Sequence, residues 1–310
     1  MTQLFIILFA YFVQFTDKMG SNRVALSDIA LEKRTTRGIA IDSLDYAVSP
    51  IYIDSLRQTG SRIYHTSRWM NGATIETDSN TIQFIAQWSF VDTVYVTRRE
   101  AKGERKEVEG ERREAKGERQ ESTWLSDPQT EQLHLHLLHE AGFHGQGVTM
   151  AVVDGGFQNV NTLSAFDAVR EQIRGIYDTT DDTDSVTGTT GNHGVKCFGT
   201  IAAITPEYQG AATAAQYYLI RSEENATESP KEMDNWVAAI ELADSLGVDI
   251  ASTSLGYAMF DDDCFTLSYS DMDGKSTRSS RAATIASRKG MLMVVAAGND
   301  GNKPWHYIAS

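Results

Sequence analysis

Four short stretches carry residues able to do chemistry. The apolar run "VTMAVVD" closes on Asp154, and Gly155-Gly156 let the chain turn sharply behind it. A carboxylate where a strand leaves its sheet can hold a metal, a ribose or a histidine. Further along, "GNHGVKCFGTIAA" places His193 at the head of a small-residue helix. A helix N-terminus favours the neutral imidazole, which can act as a base, and a carboxylate on its other nitrogen fixes the tautomer. Taken singly, the acid reads as a strand-end polar residue and the histidine as a structural ring. Taken together, they read as a base and its orienting acid. A third stretch, "TSLGY", ends a strand with Ser254, Leu255 and Gly256. A strand edge ending in glycine lets an extended peptide lie alongside it. The fourth, "VVAAGNDG", carries Ala296, Ala297, Gly298 and Asn299. A side-chain amide there can donate to a developing oxyanion, a contact worth roughly 3 kcal/mol in comparable sites.

The elements that must position these residues repeat in a regular way. From Trp124 onward, strands "VTMAVVD", "AQYYLIRSE", "VDIASTSLG" and "MLMVVAAGN" alternate with helices. The helix "SPKEMDNWVAAIELADSLG" opens with Ser229, Pro230 and Glu232 as N-cap, N1 and N3, and ends at Gly247. Its apolar face carries Met233, Trp236, Val237, Ile240 and Leu246. Near-continuous apolar strands joined by helices predict an α/β fold, a doubly wound parallel sheet covered on both faces. In such sheets chemistry gathers at the carboxyl ends of the strands.

The stretch before this is different. "YFVQF" reads as a strand, "LSDIALEKRTTRG" as a helix closed by Gly38, and "SPIYIDSLRQTG" as a helix capped by Ser49. "RIYHTSRWMNGATIET" reads as two strands about the Asn71-Gly72 turn, "SNTIQFIAQWSF" as a helix capped by Ser79, and "VDTVYVT" as a strand. The order β, helix, β, β, helix, β is that of a small α+β ferredoxin-like unit. Between the two parts, "AKGERKE VEGERRE AKGERQE" writes one seven-residue unit three times. Each copy offers a single apolar residue, too few for a coiled coil, so the stretch reads as a solvated charged linker. The divisions expected are 1–10, 11–98, 99–123 and 124–310. The first is a signal remnant: Leu4 to Val13 is apolar, but no basic residue precedes it and it is too short to span a bilayer.

Charge narrows the function classes. The formal net charge is −14, and up to Thr123 the 17 basic and 17 acidic residues cancel. The whole excess therefore lies in the later part, which repels phosphate backbones and argues against a nucleic-acid partner. Cys197 and Cys264 make no disulfide framework, and each is expected as a small buried thiol. His134, His136, His139 and His144 diverge on a helix and read as a solvated face, so no metal site is expected there. The acid-rich loops "YDTTDDTDS", "FDDDC" and "DMDG" show no full calcium-loop motif, so calcium stays a minor alternative to no cofactor at all.

Acid, histidine, peptide-binding strand and amide donor, in that chain order, resemble the subtilases, the subtilisin-like serine endopeptidases, and among them the secreted Bacteroidetes-type branch. "HGQGVTMAVVDGGF", "DSLGVDIASTSLGY" and "AAGNDGN" carry the likeness from Trp124 to the end. "FTDK" and "TSRWMNG" look like that branch's propeptide, which acts there as folding chaperone and inhibitor. The resemblance implies a partial subtilisin-like fold, secreted or periplasmic, with peptide substrates and its own propeptide-like domain as partners. It implies Asp154 orienting His193, His193 as general base and acid, and Asn299 as oxyanion donor. Ser254 to Gly256 and Ala296 to Gly298 would line the substrate side. Two departures stand out. "VKCFG" replaces the usual small residues after His-Gly, and no Gly-Thr-Ser-type nucleophile segment is found, so the chain is expected to be a fragment, inactive alone. Two alternatives remain: a non-catalytic peptide-binding module, and a doubly wound ligand binder, for which "DGGFQNVNT" is a poor phosphate turn.

Overall fold

A computed structural model describes residues 8–99, 128–180, 185–188, 191–224 and 227–309. The heptad stretch lies outside the described residues. The N-terminal unit is one antiparallel sheet of β1 (Leu8–Phe15), β2 (Arg62–Ser67), β3 (Gly72–Asp78) and β4 (Val91–Arg98), in the order β2-β3-β1-β4. Helices α1 (Asp28–Thr36), α2 (Pro50–Gln58) and α3 (Ser79–Ile85) complete it. This is the strand order of the expected split unit. Asn71 takes a positive φ of 49° at the hairpin, as the Asn-Gly pair predicts. Two details differ. β1 begins at Leu8, three residues inside the stretch read as a signal remnant. The cap of α3 is Asp78, whose carboxylate accepts from Asn80 N (2.8 Å) and Thr81 N (3.0 Å); Ser79 is already helical.

The second unit begins with α4 (Pro128–Gln132) and α5 (Leu135–Glu140), which the sequence joins as one helix. They are separate because His134 adopts φ 55°, outside helical geometry. Then follow β5 (Thr149–Asp154), β6 (Ile173–Asp178), α6 (His193–Ala202), a β7–β8 hairpin (Ile204–Thr205, Tyr208–Gln209) and β9 (Gln216–Arg221). The unit ends with α7 (Pro230–Ser245), β10 (Ile250–Thr253), α8 (Arg278–Arg288) and β11 (Leu292–Val295). Five strands form a parallel sheet in the order β11-β10-β5-β9-β6. β6 is absent from the sequence reading because "IRGIYD" has no continuous apolar run.

Period-two alternation assigns the faces of β5. Met150 and Val152 pack with Phe157, Phe166, Phe198 and Leu219 on the α6 side. Ala151 and Val153 pack with Trp236, Ile240 and Ala282 on the α7–α8 side. Both faces of the central strands are thus covered, as expected for a parallel sheet. β11 is the exception: Leu292, Val294 and Val295 are 60%, 50% and 45% exposed, so its apolar residues are not the buried set the sequence predicts.

The N-terminal unit lies against the outer side of α7. Phe12, Trp69 and Met70 join the apolar cluster of α7 and α8. Around them runs a layer of buried charge. Glu241 accepts from Arg68 N (2.9 Å) and Trp69 N (3.2 Å). Asp244 takes Arg68 Nη2 (2.7 Å) and Arg34 Nη2 (2.7 Å), and Lys289 meets Asp45 (2.6 Å). Sequence periodicity gives α7 an exposed polar face; in the fold Lys231, Asp234, Asn235, Glu241 and Asp244 are all buried under the N-terminal unit. Among the described residues no helix is long and apolar enough to cross a membrane.

Candidate active site

Asp154 is the last residue of β5 and His193 the first of α6. His193 Nδ1 lies 2.7 Å from Asp154 Oδ1, and Gly155 N donates to the same oxygen at 2.7 Å. The carboxylate is fully buried, whereas the imidazole is 59% exposed. A buried charge next to the ring is little screened by solvent. With Nδ1–H donated to Asp154, the lone pair sits on Nε2, the arrangement a general base requires.

Gly194 makes this contact possible. A Cβ there would lie 2.6 Å from Gly156 O and 2.8 Å from Asp154 Cβ. Only glycine lets the first turn of α6 approach the β5 turn this closely. Phe198, one turn on, is fully buried and stacks on Phe166 at 4.9 Å. The bulky "VKCFG" departure therefore places its phenyl in the core and leaves Lys196 on the surface.

Cys197 follows His193 by one turn, with Sγ 3.8 Å from His193 Nδ1. The expectation of two small buried thiols is corrected: Cys197 is partly exposed and Cys264 exposed. Burial, more than the neighbouring Asp154 charge, pushes the Cys197 thiol up, while a hydrogen bond with Ser254 opposes this. So Asp154 and His193 meet, Cys197 lies beside them, and Ser254 reaches the pair only through the Cys197 thiol. The i, i+4 spacing of His193 and Cys197 was the signal that could have found it.

The remaining predicted residues share the same rim. In the sheet register Thr253 aligns with Val153 on one side and Val295 on the other. Ser254 to Gly256 and Ala296 to Gly298 therefore leave the sheet at the carboxyl edge that presents Asp154. Leu255 and Val295 line a cleft of about 590 Å³ with Tyr257 and Trp236. Gly298 has φ 90°, and the exposed Asn299 follows it in a bend.

One cluster escaped the sequence reading. Glu223, Glu228 and Glu232 converge where β9 leads into α7, and Tyr257 Oη donates to Glu223 (2.5 Å). Burial, with repulsion from Glu228, pushes Glu223 up to about 8; burial and the Asp261 charge push Glu228 up to about 7; burial, with repulsion from Glu223 and Glu228, raises Glu232 further. Glu223 also feels the Asp154 charge. Spacing in "SEENATESPKE" suggests only a cap and a solvated loop. Of the acid-rich loops, Asp262 accepts from Cys264 N (3.0 Å) and Asp273 from Lys275 N and Ser276 N (each 2.7 Å), so these carboxylates serve their own turns. Part of "YDTTDDTDS" lies outside the described residues.

Comparison with known proteins agrees with this fold. Residues 10–114 match the peptidase S8 propeptide domain of Bacteroidota, and residues 145–309 match the subtilase family. No curated protein matches the chain. Among solved structures it is similar to the epidermin leader peptide processing serine protease of Staphylococcus aureus, in mutant form. The identity is 14% and the TM-score 0.55, over 95% of this chain and 62% of that one. It is also similar to MycP1 from Mycobacterium smegmatis, with 19% identity and a TM-score of 0.43, over 59% of this chain and 48% of that one. The chain thus spans about three-fifths or less of the length of these structures. With a family match over more than half its residues, following a propeptide-type unit, the chain belongs to the subtilase family.

Proposed function

We propose that these residues form the N-terminal portion of a subtilisin-like serine endopeptidase zymogen that hydrolyses peptide bonds outside the cytoplasm. The observation that carries this reading is the 2.7 Å contact from His193 Nδ1 to the fully buried Asp154. Asp154 holds the ring in one tautomer and stabilises the imidazolium. His193 Nε2 takes the proton of a serine hydroxyl and later returns it to the leaving amine. Asn299 donates to the oxyanion, while Ser254 to Gly256 and Ala296 to Gly298 bind the peptide backbone. In this reading none of the chain's own serines is the nucleophile, so these residues alone do not turn over a peptide. The N-terminal unit is its propeptide, docked on α7.

The test is a chain continued through a downstream Gly-Thr-Ser-x-Ala segment and treated with a fluorophosphonate. Labelling that disappears in His193→Ala and Asp154→Ala supports the reading. Labelling indifferent to both substitutions overturns it. A second reading, a catalytically silent peptide binder, is favoured by the apolar cleft beside Leu255 and Tyr257. Tight peptide binding by the unextended chain, with no labelling of the extended one, would select it.

A further inference from the structure

The residues that end three neighbouring strands point to a further participant: we propose that Arg221 is a positioning residue that offsets the buried charge of Asp154 and so sets how tightly His193 holds its second proton. Asp154 ends β5, Arg221 ends β9 and Asp178 ends β6. The parallel register sets Arg221 beside Asp154 on one flank and beside Asp178 on the other. Acid, guanidinium and acid therefore form one row across the rim, with neighbouring backbones about 4.8 Å apart.

Alternation puts the row on one face. Val152 of β5 and Leu219 of β9 pack on the α6 side, so Asp154 and Arg221, each two residues on, point that way too. Their contacts agree: Asp154 reaches His193 at the head of α6, and Arg221 Nη1 lies 3.3 Å from Asp178 Oδ2. Arg221 is fully buried, and its Nε donates to Glu223 O at 3.2 Å. The backbone is tied on both flanks. Thr179 N and Oγ1 each donate to Arg221 O at 2.9 Å, and Ser222 N donates to Asp154 O at 3.0 Å. The guanidinium is thus fixed beside the acid that orients His193.

The charged and titratable groups at this rim are Asp154 on β5, Cys197 on α6, Asp178 on β6, and Arg221 and Glu223 at the end of β9. Among the described residues there, only Arg221 is a fixed cation; Lys196 of α6 stands out in solvent. The Asp154 charge favours a second proton on the imidazole, at Nε2. A buried cation one strand away opposes that, and burial leaves the opposition little screened. Asp178, on the far side of Arg221, offsets part of the cation in turn. His193 therefore gives up its second proton more readily than the Asp154 contact alone would allow. That matters for a base that must hand its proton on to a leaving amine, and this consequence rests on the function proposed above. The charge relation itself does not.

The test is nitrogen NMR of the full chain labelled at histidine, with the His193 ring assigned from its loss in His193→Gln. A pH series reads how tightly Nε2 holds its proton. In Arg221→Met that proton should be held about tenfold more tightly than in the parent chain, while Arg221→Lys, which keeps the charge, should stay within about twofold of it. Asp178→Asn should hold it about two- to threefold less tightly. These opposite signs are what loosened packing would not produce. Parent-like proton binding in Arg221→Met overturns the proposal, as do Arg221→Met and Asp178→Asn changes of the same sign. Should Arg221→Met fail to fold, Asp178→Asn decides the matter, and an unchanged or tighter proton there overturns the proposal. None of these readouts needs turnover, so they stand apart from fluorophosphonate labelling, whose indifference to His193 would sink the peptidase reading alone.

Discussion

Two layers that bury the second unit, one on its sheet and one outside α7, are held by opposite means. On the α6 side, Phe157, Phe166, Val169 and Phe198 close an apolar layer over Val152 and Leu219. On the far side of α7, the N-terminal unit docks through Arg34, Arg68, Asp244, Glu241, Lys289 and Asp45, all of them buried. The first layer gains from removing hydrocarbon from water. The second must match every charge, because an unmatched one is far costlier than a missing methylene. The lesson is that one layer is held by volume and the other by pairing.

The largest expected effect tests the pairing. Asp244→Ala removes the buried carboxylate that Arg34 and Arg68 share, leaving each only a longer ion pair, and should lower stability by about 3–5 kcal/mol, read from the urea midpoint of tryptophan fluorescence. Replacing Asp244 together with Arg34 and Arg68 by apolar residues should recover most of that loss. A small effect of the single change would end the contrast. Close behind is Phe198→Ala in the apolar layer, expected to cost about 3–5 kcal/mol with no second substitution able to compensate by charge.

A pH series sharpens the comparison at intermediate size. His65 on β2 faces Asn235 at 3.0 Å, with Lys231 and Asp234 on the same helix, and burial lowers its pKa from 6.5. The docked form holds the ring neutral. Its contribution is present above pH 6.5 and is lost as pH falls towards the lowered value, at most about 1.4 kcal/mol per pH unit. His65→Gln should flatten that limb. Glu223 runs the other way. Raised to about 8, it supports the fold fully below 4.5 and loses that support as pH rises through about 8, so Glu223→Gln should stabilise the chain at alkaline pH. Denaturant midpoints across pH read both. The smallest effect is a control: Arg57→Ala removes an exposed i, i+3 pair with Asp54 and should change stability by less than about 0.5 kcal/mol.

What could be read from the sequence was whatever is local. The Asn71-Gly72 hairpin, the Ser49 and Ser229 helix starts, the strand ending at Asp154 and the helix starting at His193 depend on a few neighbouring residues, and they appear where expected. What was hidden depends on distant partners. The polar residues of α7 look solvated until β2 lies across them. The Glu223, Glu228 and Glu232 cluster needs a loop folded back on a helix N-terminus. The exposure of β11 reflects its edge position, which its composition does not reveal. Cys197 was noticed only as a packing oddity, because its partner across the turn is named by helix periodicity and not by a motif.

The charged face of α7 has one more consequence. Should the N-terminal unit depart, water can hydrate Glu241 and Asp244 at once, so the part of the surface around the apolar contact of Phe12, Trp69 and Met70 wets instead of sticking. A joint built this way bares less hydrocarbon when taken apart than a wholly greasy seam of equal area would.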